Sequence, residues 1–219
     1  LWVPRFKVML ASGMTPRVIF EFYVDENNVT KAPSRPWTYE DLYAAAVRIF
    51  RTTKPIVAAI QGAAIGGGLG LALSADFRIA SPEARFSANF ARLGFHQGFG
   101  LSATLPRLVG TQAAAELLYT GRRIGGEEAV SLGMADRLSS LDDLRSSAHS
   151  LAREIAVSAP LAVQSIRMTL RGTLADEVAA ATDHEGREQA WLRDTSDFKE
   201  GTAATVSYTH LTLPTKRIV

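Results

Sequence analysis

One stretch constrains the fold more than any other, residues 54–81, with the sequence KPIVAAIQGAAIGGGLGLALSADFRIAS. After Pro55 comes IVAAI, an apolar run without alternation that predicts a strand buried on both faces. Three consecutive glycines at positions 66–68 then lead into a predicted helix of small and apolar residues at 69–75. The segment FRIA that follows predicts the next strand. The glycines therefore stand where a buried strand passes into a buried helix.

A glycine turn of this kind serves either a ligand or the fold. Without a Cβ, the backbone can approach a ligand closely. The first N–H groups of the helix have no acceptor within it and favour negative charge, so a developing oxyanion would be stabilised there, by roughly 2.7–4 kcal/mol for one donor. The alternative is a tight turn with close helix–strand packing. The spacing fits neither a dinucleotide-binding motif, which argues against a nicotinamide-dependent enzyme, nor a phosphate-binding loop.

Composition is that of an ordinary globular protein and excludes several functions. The chain has 219 residues, 47% hydrophobic and 21% charged, which is enough for one substantial core. The net charge is +2 and the basic residues are scattered, so neither nucleic acid nor a membrane surface is expected as a partner. Cysteine is absent, which excludes disulfides and thiolate chemistry and suits a cytoplasmic location. No apolar run approaches ~18 residues and no acid–histidine cluster has metal-site spacing, so neither a membrane span nor a metal is expected.

Three blocks of sequence resemble a known family. They are residues 54–81, residues 84–110 (ARFSANFARLGFHQGFGLSATLPRLVG) and residues 117–138 (LLYTGRRIGGEEAVSLGMADRL). In their order and spacing they resemble the enoyl-CoA hydratase/isomerase (crotonase) superfamily, and the resemblance covers about residues 37–204. It implies an α/β fold with a crotonase-like ββα spiral core and a C-terminal helical oligomerisation region. It also implies acyl-CoA substrates, with coenzyme A as part of the substrate and no separate cofactor.

The chain divides into four segments by its residue pattern and its resemblance to the family. Residues 1–34 lack the Ala-Gly-Ala-Asp-like loop that supplies the second oxyanion donor in the family, and we expect this segment to be divergent or truncated. Residues 35–140 correspond to the crotonase-like core. Residues 141–204 predict amphipathic helices with more apolar surface than one small lobe can cover, which favours a homo-oligomer, a trimer or a dimer of trimers. Residues 205–219 are β-branched and turn-like, and we expect them to be unrelated to the fold.

The resemblance implies one residue that binds the oxyanion, and it shows that this sequence lacks the two catalytic glutamates of the family. It gives the N–H of Gly67 to the thioester oxygen. It places the two proton-transferring glutamates of the family at Gly70 and Phe90, and neither of these residues can move a proton. Hydration needs two such groups, whereas isomerisation of a double bond needs a single base. The sequence therefore favours isomerisation.

The glycine-rich loop over residues 94–100 offers His96 as that base, because imidazole titrates near neutral pH. The alternative is a histidine that is hydrogen-bonded to the loop backbone. Gln97 is not a base but can orient water or a carboxylate. The predicted substrate-binding residues are Ile65, Gly66, Gly68, Phe90, Gln97 and Gly98.

Other polar residues have a structural explanation beside a functional one. Asn89 and Ser87 could hydrogen-bond an acyl substituent or serve in turns and caps. His149 and His184 are predicted on helix surfaces. Two hypotheses remain. The first is an acyl-CoA enzyme that polarises the thioester carbonyl at a backbone oxyanion hole, and the second is a catalytically silent acyl-CoA-binding or assembly subunit with the same fold.

Overall fold

The computed structural model describes residues 39–207. The expectations for residues 1–34, and for residues 208–219 of the tail, lie outside the described residues. The helices and strands are α1 Tyr39–Phe50, β1 Val57–Ile60, β2 Ala63–Ile65, α2 Gly67–Ser74, β3 Phe77–Ala80, β4 Arg85–Ser87, a 3₁₀ helix Ala91–Leu93, α3 Leu101–Thr120, β5 Ile124–Gly125, α4 Gly126–Ser131, β6 Arg137–Leu138, α5 Leu144–Ala156, α6 Pro160–Arg171, α7 Leu174–Leu192 and α8 Ser196–Ser207. The predicted strands on either side of the glycine turn are confirmed.

The described strands form two three-stranded sheets, and the chain adds strands to both sheets in turn. In the first, β1 pairs parallel with β3, and β3 with β6; in the second, β2 pairs parallel with β4, and β4 antiparallel with β5. β1 and β2 are separated only by Gln61 and Gly62, yet they belong to different sheets. After α2 the chain returns and adds β3 to the first sheet and β4 to the second. This repeated unit of strand, strand and helix agrees with the predicted α/β spiral.

Small residues allow α2 to lie inside the main core. Leu69, Ala72 and Leu73 of this helix are buried against a cluster that includes Phe86 of β4 and Leu105 of α3. The helix has little amphipathic character because apolar neighbours surround it, as expected for a helix buried on most sides. Helix α2 is thus held by the centre of the fold.

A buried ionic cluster anchors α6 to the core. The carboxylate of Asp76, which follows α2, accepts hydrogen bonds from Nε of Arg167 at 3.0 Å and Nε of Arg171 at 2.9 Å. It also accepts one from the N–H of Ile56 at 2.8 Å, while Arg167 donates to the carbonyl of Thr52. The side chains of Asp76 and Arg167 are only 13% and 7% exposed. Asp76 therefore has a structural role.

Replacing Asp76 by alanine should lower the free energy of unfolding by about 3–5 kcal/mol, because two buried guanidinium groups lose their counter-ion. Chemical denaturation measures this loss. The matched control is Asp176→Ala, which breaks the pair with Arg51, whose two side chains are 59% and 79% exposed. The control should cost no more than about 1 kcal/mol. Equal losses in the two variants would contradict the assigned role of Asp76.

α6 leaves large apolar side chains on the surface. Leu161, Ile166, Met168 and Leu170 are all more than half exposed, and Arg167 is the buried residue of this helix. The predicted excess of apolar surface in the C-terminal region is therefore present. The homo-oligomer itself stays a prediction. Among the helices of residues 39–207, none combines the length and apolar composition needed to cross a membrane.

We expect light scattering to give a mass that is a multiple of 23.7 kDa, with three copies as the number that the family resemblance implies. Met168→Glu should shift the equilibrium toward the monomer, because it places a charge among apolar side chains that need a partner. A monodisperse monomer in the unaltered protein would contradict this expectation.

Candidate active site

The turn from β2 into α2 has a backbone conformation that suits only glycine. Gly66 has φ 56° and ψ −119°, values that place it in the left-handed half of backbone space. Its N–H donates to the carbonyl of Ser87 at 2.9 Å. Its carbonyl accepts from the N–H of Leu69 at 3.0 Å and of Gly70 at 3.2 Å. Both sides of the Gly66 backbone are thus fixed, and α2 begins at Gly67.

The first two N–H groups of α2 are not used in the backbone hydrogen bonding of the described residues. Within residues 39–207, the N–H groups of Gly67 and Gly68 donate no backbone hydrogen bond, as is usual at a helix start. Gly67 lies on the wall of a cleft of about 260 Å³. The residues that line this cleft are Tyr43, Ile65, Gly66, Gly67, Asn89, Phe90, Leu93 and Phe95. A partial positive charge at a helix start therefore meets a largely apolar cavity.

Aromatic rings form much of the cleft wall. Phe90 and Phe95 contact each other edge to face, with ring centroids 5.3 Å apart. Phe95 makes the same kind of contact with Phe198 of α8, also at 5.3 Å. Phe90 occupies the position at which the resemblance places the second glutamate. The structure has an apolar wall at that point instead of a proton donor.

The position of the first family glutamate is closed by packing. A Cβ added to Gly70 would lie 2.5 Å from Cβ of Phe99, which is closer than side chains approach one another. Phe99 itself has φ 63°, an unusual value for a residue with a bulky side chain. Its ring also contacts Tyr43, with centroids 6.2 Å apart. Phe99 thus fills the space that a side chain at position 70 would need.

His96 lies beside α7 and is not among the residues that line the cleft. Its Nδ1 is 2.9 Å from the carbonyl oxygen of Gln97. A carbonyl only accepts, so this bond places the proton on Nδ1 and leaves Nε2 of the neutral ring as a proton acceptor. The ring is 5.7 Å from that of His184, which is exposed on α7. His149 is exposed as well, so both helix-surface predictions are confirmed.

The structure brings together only some of the predicted site residues. Ile65, Gly66, Gly67 and Phe90 line the cleft, whereas Gly68, His96, Gln97 and Gly98 are not among its lining residues. Nε2 of Gln97 donates to Oγ of Ser102 at 3.0 Å, and Gly98 packs closely against Tyr43. The roles of these residues toward a substrate stay predictions. Among residues 39–207, no group of three histidine, cysteine or acidic side chains could hold a metal ion.

Two residues of α7 that sequence reasoning missed hold the glycine-rich loop. Oε2 and Oε1 of the buried Glu185 accept from the N–H groups of Gly100 at 2.8 Å and Ser102 at 2.9 Å. Nε2 of the buried Gln189 donates to the carbonyls of His96 at 2.9 Å and Gln97 at 3.2 Å. The sequence feature that could have identified Glu185 and Gln189 is a pair of polar residues four positions apart on the apolar face of a predicted helix. Such a pair needs buried partners.

Burial raises the pKa of Glu185, although its two N–H donors and the nearby His96 act in the opposite direction. An acid with a raised folded-state pKa stabilises the fold below its ordinary pKa, and this contribution is lost as pH rises through the folded value. Between the ordinary pKa of a glutamate and the raised pKa in the folded protein, we therefore expect the free energy of unfolding of Glu185→Gln to increase with pH relative to that of the unaltered protein. Urea unfolding at a series of pH values measures the difference. A difference that is independent of pH would contradict the burial argument.

Comparison with known proteins decides the family. The sequence profile of the enoyl-CoA hydratase/isomerase family matches residues 23–208. The chain belongs to this family. Its fold is accordingly the predicted crotonase-like one.

Individual members of the enoyl-CoA hydratase/isomerase family give the extent of the similarity. The carnitinyl-CoA dehydratases of Salmonella paratyphi B and Salmonella heidelberg are 38% identical over 131 residues, 60% of this chain and 50% of theirs. The chain thus spans about half the length of the curated relatives it matches. An enoyl-CoA hydratase/isomerase structure from Pseudoalteromonas atlantica T6c is 31% identical with a TM-score of 0.75, covering 83% of this chain and 72% of that one. An enoyl-CoA hydratase from Mycobacterium smegmatis is 34% identical with a TM-score of 0.60, covering 66% of each chain.

Proposed function

We propose that this family member acts on acyl-CoA thioesters and polarises the thioester carbonyl with the N–H of Gly67. The observation that carries the proposal is this N–H, which has no backbone acceptor among the described residues and stands at the start of α2 on the wall of an apolar cleft. The names of the relatives, carnitinyl-CoA dehydratase and enoyl-CoA hydratase, support a CoA thioester as the substrate class. Coenzyme A would enter as part of the substrate, without a separate cofactor.

The chemistry follows from where charge develops. When a proton leaves the carbon next to the thioester carbonyl, the electron pair moves into an enolate and its negative charge falls on the carbonyl oxygen. A hydrogen bond from Gly67 and the dipole of α2 stabilise that oxygen more strongly than the neutral carbonyl. The apolar walls at Phe90 and Phe95 lower the local dielectric and strengthen this effect. The binding energy is thereby directed toward the transition state.

Isomerisation is the reaction that fits this site best. In this reaction one base removes a proton from one carbon and returns it to another, so the double bond shifts and no water is consumed. Hydration needs a second acid–base group, and Gly70 and Phe90 provide none. We assign the single base to His96, whose Nε2 is the acceptor nitrogen when Nδ1 donates to the carbonyl of Gln97. His96 lies beside α7 and is not among the residues that line the cleft, so this assignment requires the reacting carbons of the substrate to extend beyond the cleft wall to reach it.

Gly67→Pro tests the oxyanion assignment. Proline is well tolerated at the first position of a helix, so the substitution removes the N–H with little effect on α2. We expect turnover of a 3-enoyl-CoA to fall by about 10²–10³-fold. Gly68→Ala is the matched control, because an added Cβ there meets open space and the N–H is kept. Retained activity in a folded Gly67→Pro protein would rule out the assignment.

His96→Gln tests the assigned base. We expect turnover to fall by about 10²–10⁴-fold, the contribution of one general base, with little change in acyl-CoA affinity. His184→Gln, which alters the exposed neighbour of His96 on α7, should leave turnover unchanged. If His96→Gln had unaltered turnover, His96 would have only a structural role in the loop.

The packing of Phe99 against Gly70 favours one alternative, a catalytically silent acyl-CoA-binding or assembly subunit. That contact excludes an acid from the position where the family carries one. A turnover assay with crotonyl-CoA and a 3-enoyl-CoA, run beside a binding titration, separates the two functions. Binding without turnover of either compound would favour the silent subunit. Turnover of the 3-enoyl-CoA would support the isomerase.

A further inference from the structure

Asn89 is the polar side chain among the residues that line the cleft, apart from the hydroxyl of Tyr43. Its Oδ1 lies 3.6 Å from the position that a Cβ on Gly66 would take, so the amide stands beside the glycine turn that bears the Gly67 N–H. Among the hydrogen bonds of residues 39–207, none involves the side chain of Asn89. Asn89 therefore presents a donor and an acceptor to the cavity.

The neighbouring Ser87 shows what a structural role looks like in the same segment. Its side chain is buried, and its Oγ donates to the carbonyl of Gly121 at 3.0 Å. The backbone of Asn89 also packs against Gly121, because a Cβ added to Gly121 would lie only 3.1 Å from Cα of Asn89. The two polar residues thus differ, because the hydroxyl of Ser87 is satisfied within the fold and the amide of Asn89 is not.

The side chain of Asn89 is half-buried and lines the cleft, so its amide is accessible to a ligand that enters there. In ligand sites, a few such groups among apolar walls fix the orientation of the bound molecule and set its specificity. The amide of asparagine both donates and accepts, so it matches a hydroxyl or a carbonyl oxygen.

We propose that Asn89 is a specificity-determining residue that binds a hydroxyl or oxo group on the acyl chain, close to the thioester carbonyl. This inference rests on the proposed acyl-CoA function. The closeness follows from the position of Asn89 next to Gly66, whose neighbour Gly67 binds the carbonyl oxygen. The rest of the acyl group lies against Phe90, Phe95 and Leu93. A cleft of about 260 Å³ is small for a ligand site, which favours a short acyl chain.

Titration calorimetry with three thioesters of equal chain length tests the inference. The probes are butyryl-CoA, 3-hydroxybutyryl-CoA and acetoacetyl-CoA. We expect the unaltered protein to bind the two oxygenated compounds about tenfold more tightly than butyryl-CoA, which is the effect of one hydrogen bond of typical strength. Equal affinities for all three would overturn the role of Asn89 and leave the proposed function intact. If none of the three bound, the proposed function itself would fail, and the inference with it.

Two substitutions of similar size isolate the amide. Asn89→Leu should lose the preference for both oxygenated compounds and keep its affinity for butyryl-CoA, which serves as the internal control. Asn89→Asp keeps an acceptor and loses the donor, so it should still prefer 3-hydroxybutyryl-CoA and should reject acetoacetyl-CoA. Circular dichroism verifies the fold of each variant, and either variant suffices if the other does not fold. A preference that survives in folded Asn89→Leu would overturn the inference, as would an unchanged acetoacetyl-CoA affinity in Asn89→Asp.

Discussion

The site depends on the close packing of α2 against the main core and the ring of Phe99. It requires positions without side chains at three points of one short segment. Gly66 adopts a left-handed conformation, Gly67 lines the cleft at the start of α2, and Gly70 allows the ring of Phe99 to touch the helix backbone. Because Leu69, Ala72 and Leu73 of α2 are buried in the main core, the start of this helix is held in place by core packing. A donor held in this way needs little reorganisation when charge develops on a ligand.

The C-terminal helices take part in the site and do not merely follow it along the chain. Glu185 and Gln189 of α7 fix the glycine-rich loop by hydrogen bonds to its backbone, and this loop carries Phe95 into the cleft and Phe99 against α2. α8 adds Phe198 behind Phe95. The geometry of the cleft is therefore set by contacts from the core and from the helical region together. A change in α7 is expected to reach the cleft through this loop.

Membership of the enoyl-CoA hydratase/isomerase family does not by itself define the chemistry, since function depends on the residues of the site. The resemblance assigns the backbone donor of the family to Gly67 and its two acidic positions to Gly70 and Phe90, residues that cannot transfer protons. At Gly70 the packing leaves no room for an acidic side chain, because Phe99 occupies the adjoining space. The described residues that line the cleft include no carboxylate, and Asn89 contributes a neutral amide. This composition is the basis on which we propose polarisation of a thioester and not activation of water.

The sequence by itself determined the order of strand, glycine turn, helix and strand, the family, and the absence of acids at positions 70 and 90. These properties depend on residue identity and local periodicity, which a linear sequence records directly. Only the tertiary structure decided that Ser87 is satisfied within the fold while Asn89 faces the cleft, and that His96 lies beside α7. It also showed that Glu185 holds Gly100 from a position 85 residues away. Such pairings depend on how distant elements pack, and the pattern within one element carries little information about its partner.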